Sequence, residues 1–278
     1  MIFQFKKKKN KNKNKVTLAV PHLIVDKAPF EYVEAYKCFR TNFNFATLNN
    51  TNRKIVVTSA LRDEGKSSMV VNLTLSLAQA GHKVLLIDAD MRNPSVHRYL
   101  KIVKEKEFGL SNLLSGNAKV GDCLIHTDYG VDVIAGGVVP PNPVELISSD
   151  AMRDLLNVAA KHYDYIICDA PPVGIITDAA ALSPLCDGVL YVIRHNYASK
   201  NQVHDAIRKL QTVNAKILGT VMTQYVFPKE TVSKYVQRRY GHRYGYKYGY
   251  KYGYGYGYGY GYGYENEEDK DENTDNAQ

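Results

Sequence analysis

The chain has no tryptophan and only four cysteines among its 278 residues. Cys38, Cys123, Cys168 and Cys186 stand far apart and form no C-x-x-C pair, which argues against a redox motif or zinc knuckle and fits a reducing cytosol. The histidines show no metal-ligand spacing either. No apolar run approaches the ~18 residues that a membrane span requires. Met1 to Phe5 is too short for a signal-peptide core, so the expectation is a soluble, intracellular protein. A uniformly basic surface is also lacking, despite a formal charge of +8. Seven lysines crowd between Lys6 and Lys15, and seven acids lie between Glu265 and Gln278 against the single Lys270. Once these ends and Arg238, Arg239, Arg243, Lys247 and Lys251 are set aside, Val16 to Lys234 carries only about +2. Generic nucleic-acid binding is not implied.

What remains divides by composition into three segments. Residues 1–15 are a Lys/Asn arm with almost nothing to bury, read as disordered. Residues 16–228 alternate strand and helix patterns, and residues 229–278 form a Tyr/Gly tract with an acidic end. In the middle segment, Lys54–Thr58, Val84–Ile87, Val131–Ile134, Tyr165–Cys168, Val189–Ile193 and Ile217–Met222 are short apolar runs with helical patterns between them. Continuous apolar strands separated by helices predict an α/β fold, a doubly wound and mostly parallel sheet. Its ligands then sit beyond the carboxyl ends of the strands.

After the first of these strands comes Ser59-Ala-Leu-Arg-Asp-Glu-Gly65-Lys66-Ser67-Ser68, followed by a helix from Lys66 to Ala80 with Gly81 as its stop. Backbone N–H groups of Asp63, Glu64, Gly65, Lys66, Ser67 and Ser68 at such a loop and helix start would cradle nucleotide phosphates. Lys66 can reach the outer phosphates and Ser67 can offer its hydroxyl to Mg²⁺. The first glycine of the eight-residue phosphate-loop pattern is Ala60 here. Asp88 and Asp90 follow the second strand, and Asp169 follows the strand Tyr165–Cys168. Neighbouring parallel strands would bring these carboxylates toward one metal, and Mg²⁺ is satisfied by one or two carboxylates with waters and phosphate oxygens.

Together, the loop, Leu-Leu-Ile-Asp88-Ala-Asp90-Met-Arg92 and Ile-Ile-Cys-Asp169-Ala-Pro-Pro resemble the Walker A, A′ and B motifs of the bacterial tyrosine kinases. Gly109-Leu-Ser-Asn-Leu-Leu-Ser-Gly116 and Pro140-Pro-Asn-Pro-Val-Glu-Leu-Ile-Ser-Ser149 extend the likeness, which runs from about Pro29 to Gln224. It is closest to the stand-alone cytoplasmic form encoded beside capsule and exopolysaccharide genes in Gram-positive bacteria. The resemblance implies a P-loop NTPase fold, ATP and Mg²⁺ as cofactors, and autophosphorylation of tail tyrosines. It assigns Lys66 to the phosphates, Ser67, Asp88 and Asp169 to the metal, and Asp88 or Asp90 to the tyrosine proton, with the family favouring the first. Arg92 would neutralise developing charge or pair with Asp90. Two departures stand out: Arg62-Asp63 replaces the family's Pro-Gly, and Met222-Thr223-Gln224 lacks the Asn that often reads the purine, leaving the base contact unassigned.

The tail holds Tyr235, Tyr240, Tyr244, Tyr246, Tyr248, Tyr250, Tyr252, Tyr254, Tyr256, Tyr258, Tyr260, Tyr262 and Tyr264, mostly alternating with glycine. A Gly-rich coil from Pro228 to Tyr264 has an r.m.s. reach of ~30–36 Å. Such a tether presents many phenols to a neighbouring subunit's site at high local concentration. Glu34, Lys37 and Arg40 fall along one face of an early helix pattern and resemble the family's Glu-x-x-Arg-x-x-Arg subunit contact. The resemblance further implies a homo-oligomeric ring, a transmembrane adaptor of the polysaccharide co-polymerase type that recruits the kinase to the inner face of the membrane, and a cognate tyrosine phosphatase. Two other classes compete. A switch ATPase of the partitioning or division-site type would carry a Lys five positions before Lys66, where Leu61 stands. A nucleotide-gated scaffold would use the tail for assembly alone.

Overall fold

A computed structural model describes residues 23–25, 28–47, 53–102 and 108–225. The Lys/Asn arm and every tail tyrosine from Tyr235 to Tyr264 lie outside the described residues. The chain opens with α1 (Phe30–Thr47), β1 (Arg53–Ser59), α2 (Lys66–Gln79), β2 (Val84–Asp88) and α3 (Val96–Tyr99). Next come α4 (Leu110–Leu114), α5 (Val120–Cys123), β3 (Leu124–His126), β4 (Val131–Ile134), α6 (Pro143–Ile147) and α7 (Asp150–Ala159). It closes with β5 (Tyr165–Asp169), α8 (Asp178–Leu182), β6 (Gly188–Arg194), α9 (Lys200–Thr212) and β7 (Ile217–Thr223).

The strands assemble in the order β3-β4-β2-β5-β1-β6-β7. All pairings are parallel except β3 with β4, the antiparallel edge that the sequence reading did not foresee. Successive strand residues point to opposite faces, and the apolar runs therefore feed two cores. Val56, Leu85, Ile87, Ile166 and Cys168 pack beneath the later helices, with Leu156 of α7 and Leu210 of α9. Ile55, Val57, Leu86, Tyr165 and Ile167 meet Phe43 of α1 and Val70, Leu73 and Leu77 of α2. This two-sided burial is the reason that the central strands read as unbroken hydrophobic runs.

Register sets the chemistry. Asp88 and Asp169 end β2 and β5 and are direct partners across that pair, while Val57 on β1 is level with Asp169. The loop leaving β1 therefore opens beside both carboxylates, at the carboxyl edge of the sheet.

Candidate active site

The β1–α2 loop is pinned before it reaches the turn at residues 63–66. The Thr58 hydroxyl donates to the Pro171 carbonyl at 2.8 Å and accepts from the Val173 N–H at 3.1 Å, lacing β1 to the segment after β5. Gly174 of that segment lies so close that a Cβ there would stand 2.2 Å from the Ala60 carbonyl oxygen. Asp63 adopts φ 59° and Gly65 φ 80°, both left-handed. Asp tolerates this region better than most residues, which accounts for a chain lacking the family's glycine at that position. Asp63 is exposed, so its acid is not folded into the turn.

Gly65 precedes α2, whose first N–H groups have no intrahelical partner. Lys66 starts this helix, and its ammonium reaches back over the sheet edge to Asp169, Nζ to Oδ1 2.7 Å. The pair is almost sealed: the Lys66 side chain is 8% exposed and Asp169 0%. Burial pulls the lysine pKa down, but the adjacent Asp169 charge and hydrogen bond outweigh it, so the group titrates above its ordinary value.

Asp88 spends one oxygen on architecture. Its Oδ2 accepts the N–H groups of Ser95 and Val96 at 2.8 and 3.0 Å, fixing the start of α3. Its Oδ1 and the Oδ2 of Asp169 are buried with no hydrogen-bond partner. Burial, reinforced by the Asp169 charge, pushes the Asp88 pKa up to about 7. Asp90 is half-buried, accepts the Asn93 N–H at 3.1 Å, and is also raised, chiefly by burial, with Lys66 opposing. Two buried carboxylate oxygens without donors, on neighbouring strand ends, fit a hard divalent cation that takes few protein ligands. Among the described residues no cluster of three His, Cys, Asp or Glu forms a closed metal cage.

Arg92 joins neither the phosphate loop nor Asp90. Its Nε and Nη2 donate to Asp178 at 2.9 and 3.1 Å, a bidentate pair on a fully buried carboxylate at the start of α8. Hydrogen bonding to Asp178 raises the arginine pKa despite partial desolvation. Glu64, expected to contribute to the cradle, is 1% exposed with its carboxylate turned into the protein, which leaves its N–H as the group available to a ligand. On α1, Lys37 pairs with Glu34 at 2.7 Å on the surface, whereas Arg40 donates to the Ser76 carbonyl of α2 at 2.6 Å.

Asp178, Arg194 and Tyr99 escaped the sequence reading, and Thr223 entered it only within the Met222-Thr223-Gln224 departure, with no partner assigned. The partners of Asp178 and Thr223 lie 86 and 159 residues away, beyond the range of any local pattern. The half-buried Tyr99 phenol ends α3, and burial and the charge of Asp169 raise its pKa.

A family model described as an AAA domain matches residues 53–222. The tyrosine-protein kinase YwqD of Bacillus subtilis (strain 168) is 37% identical over 190 residues, covering 68% of this chain and 79% of that protein. Among solved structures, the kinase domain of the Escherichia coli tyrosine kinase ETK aligns with a TM-score of 0.65 at 34% identity, over 70% of this chain and 78% of that one. The septum site-determining protein MinD of Pyrococcus horikoshii, solved with Mg-ADP, aligns at TM-score 0.54 over 66% of this chain and 76% of its own. Its 21% identity speaks to the fold alone. Identity of the extent seen with the kinases, over more than two thirds of the sequence, settles the family: the chain belongs to the bacterial tyrosine kinases, enzymes built on the P-loop NTPase fold.

Proposed function

We propose that the chain is an autokinase that transfers the γ-phosphoryl group of ATP to its own C-terminal tyrosines, between subunits of an oligomer. The convergence of Lys66, at the start of α2, with Asp88 and Asp169, at the ends of β2 and β5, carries this reading. In it, the N–H groups of residues 63–68 cradle the phosphates. Lys66 leaves Asp169 for the outer phosphates as ATP enters. Ser67, Asp88 and Asp169 would hold Mg²⁺, the last two through side chains with an unpartnered oxygen, and the ion would supply charge neutralisation on the phosphates.

Exposure divides the two remaining carboxylate tasks. Asp88 is closed off and already half spent on α3, which suits a place in the metal shell. Asp90 is only half-buried and so more open than Asp88, which suits proton acceptance. A phenol with an ordinary pKa of about 10 asks little of that base. Arg92 then acts through Asp178, steadying the segment that carries Asp90.

The tail has the composition of a tethered acceptor, and the absence of any membrane-crossing helix among the described residues is compatible with recruitment to the membrane's inner face by a transmembrane adaptor. Control of capsular or exopolysaccharide synthesis and chain length, and reversal by a phosphatase, complete the proposal. The test mixes a Lys66→Met chain bearing the tail with an active chain whose tail tyrosines are Phe, in ATP and Mg²⁺, with and without an adaptor cytoplasmic peptide. Phosphate on the Lys66→Met tail supports transfer between subunits. A tail phosphorylated only when Lys66 is on the same chain contradicts it.

A further inference from the structure

Glu64 sits just before Gly65 and Lys66, where a free carboxylate would repel a triphosphate. Its acid is taken up instead. Oε2 accepts the Leu61 N–H at 2.6 Å, closing the loop on itself, and Oε1 accepts the N–H of Arg194, the last residue of β6, at 3.3 Å. The Glu64 carbonyl accepts the Thr223 hydroxyl, at the end of β7, at 2.6 Å. One residue earlier, the Asp63 carbonyl accepts Arg194 Nη1 at 3.0 Å. The Arg194 guanidinium is itself steadied over the Tyr197 ring, 4.6 Å from its centroid.

These contacts fix the direction of two peptide groups. In a trans peptide the N–H points opposite to the C=O. With the Asp63 and Glu64 carbonyls held toward β6 and β7, the N–H groups of Glu64 and Gly65 are aimed the other way. Left-handed conformations at Asp63 and Gly65 on either side of Glu64 give the alternation that turns successive N–H groups into a concave anion nest. Thr223 also lies along Gly65, with side-chain atoms 3.4–3.6 Å from where a Cβ would stand.

We propose that Glu64, Arg194 and Thr223 are positioning residues for the phosphate loop: through contacts outside the turn they aim the Glu64 and Gly65 amides at the nucleotide phosphates. The proposal rests on the reading of this loop as the ATP site. It also explains how a loop with one glycine keeps its shape, since ties to two strand ends hold what glycine elsewhere permits.

The experiment measures initial autophosphorylation rates of the full chain against ATP concentration, with thermal melts of each variant. Thr223→Val keeps the shape and removes the hydroxyl; it should raise KM for ATP about 3- to 10-fold, the worth of one hydrogen bond, with little change in kcat or melting temperature. Thr223→Ser should restore the wild-type KM. Glu64→Gln should raise KM by about 10-fold or more, because its amide N–H₂ faces a donor. If Glu64→Gln melts early, the Val and Ser pair carries the test. A KM for ATP within about twofold of wild type in Thr223→Val, or a rise that Thr223→Ser fails to reverse, overturns the proposal. Lys66→Met separates the two readings. If it leaves ATP binding and transfer intact, the loop is not the ATP site and both fall; if it abolishes them while Thr223→Val changes nothing, only the positioning role falls.

Discussion

Lys66 and Asp169 form an ion pair 2.7 Å long inside the protein, joining the first residue of α2 to the last residue of β5. Removing one partner of such a pair leaves a desolvated charge behind, at a cost of about 3–5 kcal/mol when nothing replaces it. Lys66→Met should therefore lower the melting temperature of the nucleotide-free protein, and adding Asp169→Asn should restore part of the loss. A double-mutant cycle is expected to give a coupling of at least about 1 kcal/mol. Additive effects would mean that the pair does not hold the resting loop.

Asp88 gives a pH prediction with a definite sign. Its folded pKa of about 7 lies above the ordinary 3.8, so the folded state holds the proton more tightly than the unfolded state. The stability contributed by neutral Asp88 is complete below about pH 4 and is lost as pH rises through about 7. Asp88→Asn should keep an acceptor for the Ser95 and Val96 N–H groups and gain on the wild type over that range. The expected gain in melting temperature between about pH 4 and pH 8 is roughly 4 °C or more. A difference that stays flat with pH would mean that Asp88 is already ionised in the resting protein. Mg²⁺ affinity should rise with pH over the same window, since the cation competes with the proton.

The bidentate contact between Arg92 and Asp178 spans the segments after β2 and β5. Asp178→Asn should lower kcat by roughly 10-fold or more through misplacement of the Asp90 segment, while KM for ATP stays within about threefold. Arg92→Lys should behave similarly, because an ammonium cannot reproduce the two-pronged contact. A matching rise in KM would assign Arg92 to nucleotide binding instead.

On α1 the three charged residues part company. Glu34 and Lys37 form an exposed pair worth no more than about 1 kcal/mol, so replacing both with Ala should leave the melting temperature nearly unchanged. If this face joins subunits, the same double variant shifts the mass measured by light scattering toward the monomer. Arg40→Ala should instead cost stability, because it frees the Ser76 carbonyl on α2.

How far the sequence could be read followed the range of each interaction. Strands such as Val84–Asp88 were legible because burial on both faces writes itself as a local apolar run. The positions of the β1–α2 loop and of the aspartates were legible because their residue types mark strand ends. The three-residue β3 and the four- and five-residue helices α3 to α6 were not, since segments so short owe their form to tertiary contacts. The partners of Arg92 and Glu64 were hidden for a similar reason. Arg92 has Asp90 two positions away, yet its carboxylate is Asp178, brought close only when α8 returns across the sheet. Glu64 is tied to strand ends far along the chain, and no spacing within the loop announces it.

The central claim is most directly tested by incubating the full chain with γ-labelled ATP and Mg²⁺ and comparing wild type with Lys66→Met by phosphopeptide mapping. The account predicts labelled phosphotyrosine between Tyr235 and Tyr264 in the wild type and none in the variant. Release of inorganic phosphate without tyrosine labelling, or equal labelling in both proteins, would contradict it.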